Sequence, residues 1–337
     1  MSGIRTVLHI GADKTGSTAI QRAMADHRAK LADLGVWYPD LDGRPDHRSI
    51  LATPSTPLPA GSVEGVDHVV LSAEGLWSAD RPTIDQLLVA LPRPITIVGF
   101  VRDPVDHAEA AFGQRLRLSR SEPELAAVLA LRAVPAPVNP IVGRARRRLH
   151  QLERWVEAVQ EVRAANRAGQ DDAAEPAVEL TVRPYRAGDD VVVELCRAAG
   201  LDHLVPVLAD RPDPRPNPTP GLDAIHASVL VRRRAGAEAQ ARFLDAVAAR
   251  PQHQTPSPPL LPAALRDRID QVTGPVVARL RPWITGPDPI FETRSTVPAA
   301  GSPPTRPGRV RLDRARARAL VAEFDVATRP EAPEPSG

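Results

Sequence analysis

The sequence predicts a three-layer α/β fold, with a central parallel sheet, helices on its faces and an additional helical region toward the C-terminus. Three observations point there. A short β-branched apolar run leads into a glycine-containing loop and then into an amphipathic stretch. Further apolar runs of strand length recur, each followed by residues with helical spacing. Beyond about residue 220 the strand signal stops, and helical periodicity alternates with Pro-rich connectors.

Arg5–Ile10 is β-branched and barely alternates, as a strand buried on both faces does. Ile20, Ala23, Met24, Leu31 and Leu34 then mark a helix from Thr18 to about Leu34, closed by Gly35. His68–Ser72 reads as a second strand and Pro82–Leu91 as a helix. Ile95–Val101 is a third strand, followed by a helix to about Leu118 with Asp103 as N-cap and Pro104 as first residue. Glu122–Arg132 and Gly143–Ala168 are helical, and Gln170–Glu175 is a polar linker. Ala177–Val182 is a fourth strand, and Asp189–Ala199 a helix capped by Gly200. Pro206–Pro220 reads as irregular, and Leu222–Arg250 and Pro262–Leu280 as helical. Pro251–Pro262, Pro298–Arg309 and Thr328–Gly337 are connectors or disordered tail. The predicted organisation is an α/β domain over 1–220, a helical extension over 221–327 packed on it, and a disordered tail over 328–337.

Composition narrows the function classes. Apolar residues are 42% of the 337-residue chain and aromatics 3%, so the core is built of Leu, Val, Ile and Ala. A formal charge of +2 removes the electrostatic case for nucleic acid as a bulk partner. A single cysteine, Cys196, allows no intrachain disulfide and no cysteine metal site, and suits a reducing cytoplasm. The N-terminus has no signal-peptide pattern, and no stretch approaches the roughly 20 apolar residues of a membrane span. The expectation is a cytoplasmic chain without metal.

The sharpest signal is Gly11-Ala12-Asp13-Lys14-Thr15-Gly16-Ser17-Thr18. Two glycines four residues apart, between a strand and a helix, let backbone N–H groups and the helix dipole converge on a tetrahedral oxyanion. This is P-loop-type spacing. A nucleotide P-loop would place Lys and Ser/Thr directly after the second glycine. Here Ser17-Thr18 stand there and the lysine is displaced to Lys14. Among 43 basic residues only Lys14 and Lys30 are lysine, so an ammonium inside the loop is a specific choice. Arg102, at the end of a strand and before a helix N-terminus, is a sensible second phosphate fork. Glu74, just past the end of a buried strand, lies where open α/β sheets place ligands, and a carboxylate there could take a proton.

The run Leu8–Gln21 resembles the 5′-phosphosulfate loop of PAPS-dependent sulfotransferases, bacterial members in particular. The resemblance implies that the loop amides from Gly11, Asp13, Thr15 and Gly16, with the hydroxyls of Ser17 and Thr18, hold the 5′-phosphate of PAPS. Lys14 would neutralise the bridging oxygen as its bond to sulfur breaks. Val98–His107 resembles the family's 3′-phosphate motif. There Arg102 carries over, His107 stands where a second Arg is common, and Ala110 stands where a Ser is expected, with Gln114 and Arg115 as other donors. Ser72-Ala73-Glu74 resembles a family segment that makes Glu74 the candidate base. His47, shortly after Gly35–Pro39, is the alternative base. Arg147–Trp155, Leu180–Arg186 and Arg215–Thr219 are similar to later family elements, so the resemblance covers about residues 5 to 220. It implies sulfuryl transfer to a hydroxyl or amine of a small molecule or glycan. Two other readings use the same residues, namely a P-loop kinase using ATP·Mg and a non-catalytic adenylate-binding protein.

Overall fold

The computed structural model describes residues 4–58, 65–169, 177–186, 188–209, 222–248, 259–286, 291 and 314–327. The predicted linker 170–175, the Arg215–Thr219 element, the connector 298–309 and the tail 328–337 lie outside them, as do 210–220 and 251–258. Contacts divide the chain into two compact units. One comprises 1–107, 144–215 and 270–294, and the other 108–143, 216–269 and 295–337.

The first unit is built on a five-stranded sheet of β1 (Arg5–His9), β2 (Val36–Trp37), β3 (His68–Ser72), β4 (Ile95–Val101) and β5 (Val178–Pro184). The order is β2-β3-β1-β4-β5 and every pairing is parallel. The helices among the described residues are α1 (Ser17–Asp26), α2 (Arg28–Asp33), α3 (Arg81–Ala90), α4 (Pro104–Arg117), α5 (Glu122–Ala130), α6 (Pro140–Gly169), α7 (Val191–Ala198), α8 (Val205–Ala209), α9 (Leu222–Ala248), α10 (Ala263–Leu280) and α11 (Arg314–Ala327). Successive strand side chains point to opposite faces, which makes two cores. Leu8, Val69, Leu71, Ile95 and Ile97 pack with Ile84 and Leu87 of α3 and Leu152 and Trp155 of α6. Val7, Val70, Val98 and Phe100 pack with Ile20 and Met24 of α1 and Val192 and Leu195 of α7. Each such fully buried aliphatic side chain contributes about 1.5–3 kcal/mol. The predicted three-layer architecture is therefore observed, with β1 at the centre of the sheet.

Several elements differ from the sequence reading. The helix predicted over Thr18–Leu34 is broken at His27. Its Nδ1–H donates to the Ala23 carbonyl at 2.9 Å, the acceptor that its backbone amide would otherwise use, and α2 restarts at Arg28. Gly35 then closes α2 at φ +75, a left-handed conformation that glycine adopts without steric cost. β2, two residues long, pairs at the sheet edge and has no sequence signal of its own. Pro206, predicted irregular, is the second residue of α8, a position where a missing N–H costs nothing. Asp103 caps α4 as predicted, accepting from the Val105 and Asp106 amides at 2.9 and 3.0 Å.

The second unit is helical. Asn139 accepts from the Ile141 amide at 2.9 Å and donates to the Leu131 and Val134 carbonyls, fixing the start of α6. The continuous helix predicted over Leu222–Arg250 is interrupted at Gly236, where φ is +87. Its flanks pack Ala227, Val231 and Phe243 against Ala317, Leu320 and Val321 of α11. Among the described residues no helix is long and apolar enough to cross a membrane.

Candidate functional site

The glycine loop leaves the C-terminal end of β1 and enters α1 at Gly16, which is left-handed at φ +81. A Cβ at Gly11 would lie 2.3 Å from the Ser17 Oγ and 2.8 Å from the His9 Cε1, so only backbone fits there. Lys14 is the one non-glycine residue with positive φ, at +64, among the described residues. Such a conformation costs about 1–2 kcal/mol for an L-residue and persists where its surroundings over-determine it. Two buried hydroxyls brace the loop from inside. Thr15 Oγ1 and Ser17 Oγ both donate to the Ala12 carbonyl, at 2.7 and 3.1 Å. Ser17 therefore serves the loop's shape, and Thr18 is exposed. The Ala19 amide donates to the Gly16 carbonyl at 2.9 Å, so the donors at the start of α1 left to an anion are the amides of Ser17 and Thr18.

Arg102 directly follows β4 and donates from Nη1 to the Lys14 carbonyl at 3.3 Å. Its guanidinium lies 5.3 Å from the centre of the Tyr185 ring. Asp13 accepts from His107 Nε2 at 3.2 Å and is ion-paired with Arg148. Burial pushes His107 down to about 4, helped by the nearby charges of Arg102, Lys14 and Arg144. His107 is thus a neutral donor to Asp13 at ordinary pH. Burial also lowers Arg148, to about 10. Lys14, Arg102 and Arg144 thus all lie near His107, and Arg148 lies against Asp13.

Glu74 begins a 3₁₀ turn, Glu74–Ser78, directly after β3. The Ala73 amide before it donates to the His9 carbonyl at 3.2 Å, tying the ends of β3 and β1 together. Glu74 Oε2 accepts from Arg48 at 3.1 Å, and Arg48 also contacts Asp46 at 2.6 Å. Glu74 and Asp13 line one cleft of about 480 Å³ with Arg48, Arg144, Arg147 and Arg148. Two indoles fix its width. Trp77 Nε1 donates to the Arg148 carbonyl at 3.1 Å, and Trp155 Nε1 to the Leu76 carbonyl at 2.9 Å, so α6 is fastened to the turn that carries Glu74.

His47 has a different place. Its Nδ1 accepts from the Ser72 amide at 3.0 Å and its Nε2–H donates to the Pro39 carbonyl at 2.9 Å. It is fully buried, and burial pushes it down to about 4. Both ring nitrogens are committed to backbone, so the imidazole stitches the end of β3 to the preceding loop and has no lone pair to offer a substrate. His9 is likewise buried, with Nδ1 2.7 Å from the Ser72 Oγ and a pKa lowered to about 3 by burial.

The structure thus brings Gly11, Asp13, Lys14, Thr15, Gly16, Ser17, Arg102 and His107 together at the loop and puts Glu74 in the adjoining cleft. Sequence reasoning missed Arg48, Arg144, Arg148 and Tyr185 as site residues. Arg144, Arg147, Arg148 and Gln151 do carry a signal, since their spacing of three, four and seven residues puts them on one face of α6. Among the described residues no group of three or more His, Cys, Asp or Glu is placed to hold a metal ion. The chain matches no family model, no curated protein and no solved structure.

Proposed function

We propose that the protein is a PAPS-dependent sulfotransferase acting on a hydroxyl or amine of a small molecule or glycan. The observation that carries the reading is the loop itself. It leaves the central strand of a parallel sheet, its first glycine admits no side chain, its lysine is held left-handed, and Arg102 is bonded to its crest. These features fit an oxyanion held by backbone amides with a cation beside it.

PAPS supplies an activated sulfuryl group on its 5′-phosphate. The acceptor oxygen bonds to sulfur as the bond from sulfur to the bridging phosphate oxygen breaks, and PAP departs with that electron pair. In the proposed reaction the amides at the start of α1 hold the 5′-phosphate and Lys14 neutralises the charge developing on the bridging oxygen. Arg102, stacked over Tyr185, holds the 3′-phosphate. Asp13 positions Arg148 and His107 and touches no phosphate. Glu74 takes the acceptor proton, and Arg48 orients its carboxylate. The displaced lysine, with Glu74 committed to Arg48, favours this reading over a kinase that needs an acid beside magnesium.

The test is a transfer assay with PAPS and a panel of hydroxyl and amine acceptors. Stoichiometric PAP release with an acceptor mass gain of one sulfuryl group supports the reading. Release of PAP without any sulfated acceptor contradicts it.

A further inference from the structure

The cleft beside the loop is more cationic than hydroxyl transfer requires. Arg144, Arg147 and Arg148 project from one face of α6, and Arg48 stands with the opposing turn. Two of the four are already committed, Arg148 to Asp13 and Arg48 to Asp46 and Glu74. Arg144 and Arg147 make no ion pair among the described residues, and both are exposed. Counting the lining side chains, four guanidinium charges face the two carboxylates of Asp13 and Glu74, and the surplus sits on Arg144 and Arg147. Because both indole bonds fasten α6 to the facing turn, this surplus is presented across a fixed gap. Planar guanidinium forks bind carboxylate and oxyacid groups through paired N–H donors.

We infer that the acceptor carries a fixed anionic group, a carboxylate or an oxyacid ester, which Arg144 and Arg147 hold while its hydroxyl faces Glu74. The inference rests on the sulfuryl-transfer reading for its chemistry but not for its binding. An anion seated on α6 leaves the acceptor hydroxyl toward the turn bearing Glu74. A neutral acceptor would leave the two guanidiniums solvated and contribute nothing to orientation.

The experiment uses the full chain and three matched probes: methyl glucoside, methyl glucuronide and methyl glucoside 6-phosphate. The rise in melting temperature is followed across a concentration series of each, at low and raised salt, with PAP titrated in parallel. The expected result is tighter binding of both anionic probes than of the glucoside, by about 10-fold, as partly exposed charge-assisted contacts give. Salt should erase the advantage. The stronger of the two anionic probes identifies carboxylate or ester as the natural group. Arg144→Gln with Arg147→Gln should remove the preference, and the paired lysine variant should restore part of it. Equal binding of all three probes overturns the inference, as does an anionic preference that survives the double glutamine variant. If that variant fails to fold, the three-probe comparison on the unaltered chain still decides. PAP binding with equal probes leaves the donor reading standing and sinks this one, whereas anionic preference without PAP binding does the reverse.

Discussion

The Arg102 guanidinium donates to the Lys14 carbonyl at 3.3 Å, joining the end of β4 to the crest of the glycine loop. One side chain thus shapes the loop and, in the proposed reaction, also meets the donor's 3′-phosphate. Arg102→Ala should weaken PAP binding by about 10- to 100-fold, the range for a lost hydrogen bond to a charged group. Arg102→Lys should recover only part of it, because an ammonium cannot make the fork or stack on Tyr185. Calorimetric titration of PAP against the three proteins measures both effects. An unchanged affinity in Arg102→Ala would remove Arg102 from the donor site.

Lys14 separates stability from chemistry. Its φ of +64 is a conformation that glycine adopts freely. Lys14→Gly should keep the melting temperature or raise it, by up to about 1 kcal/mol in stability. Turnover should fall by about 100-fold or more, as loss of a preorganised electrostatic group does. Lys14→Ala should lose turnover to a similar extent with little change in melting temperature, since lysine and alanine carry the same left-handed strain there. Full activity in either variant contradicts the role assigned to the ammonium.

The carboxylate of Glu74 should matter for proton transfer and not for donor binding. Glu74→Gln should lower transfer by about 100- to 10,000-fold while PAP affinity holds. Arg48→Ala should give a smaller loss, because it frees the carboxylate from its orientation without removing it. Initial rates across pH check the assignment. A pH–rate profile in Glu74→Gln that matches the unaltered protein means another group takes the proton.

Three buried histidines should make the fold acid-sensitive. Burial holds His9 near 3 and His47 and His107 near 4, each below the ordinary value of 6.5. All three are neutral in the fold and become charged in the unfolded chain below about pH 6.5. Their stabilising contribution is therefore complete above that pH and is lost as pH falls toward 4 and then 3. Denaturant unfolding between pH 7 and 4 should show stability dropping by several kcal/mol, with a limiting slope of about three protons taken up on unfolding. A flat profile between pH 6.5 and 4.5 contradicts the neutral, buried placement.

What was legible in the sequence was mostly local. β1, the loop and α1 announce themselves because strand patterning, glycine spacing and helical periodicity act within about 20 residues. The Asp103 cap of α4 was readable for the same reason. His47 was not, because a histidine in Asp46-His47-Arg48-Ser49 looks solvated. Its burial comes from two distant backbone groups, at Pro39 and Ser72, that only the folded chain brings to it. Likewise nothing near Asp13 in sequence announces His107, 94 residues away, as its partner. β2 is too short for periodicity, and the break at His27 depends on a side chain outcompeting its own amide. The spacing of Arg144, Arg147 and Arg148 puts them on one face of α6, but their relation to Glu74 depends on the hydrogen bonds of Trp77 and Trp155.

In the proposed function the loop and Arg102 form a site for a 3′,5′-bisphosphorylated adenosine. Thermal stabilisation of the full chain by PAP, by ATP with magnesium and by 5′-AMP tests it most directly. PAP should stabilise most, with 5′-AMP weaker for want of the 3′-phosphate contact. A larger shift with ATP and magnesium than with PAP would contradict it.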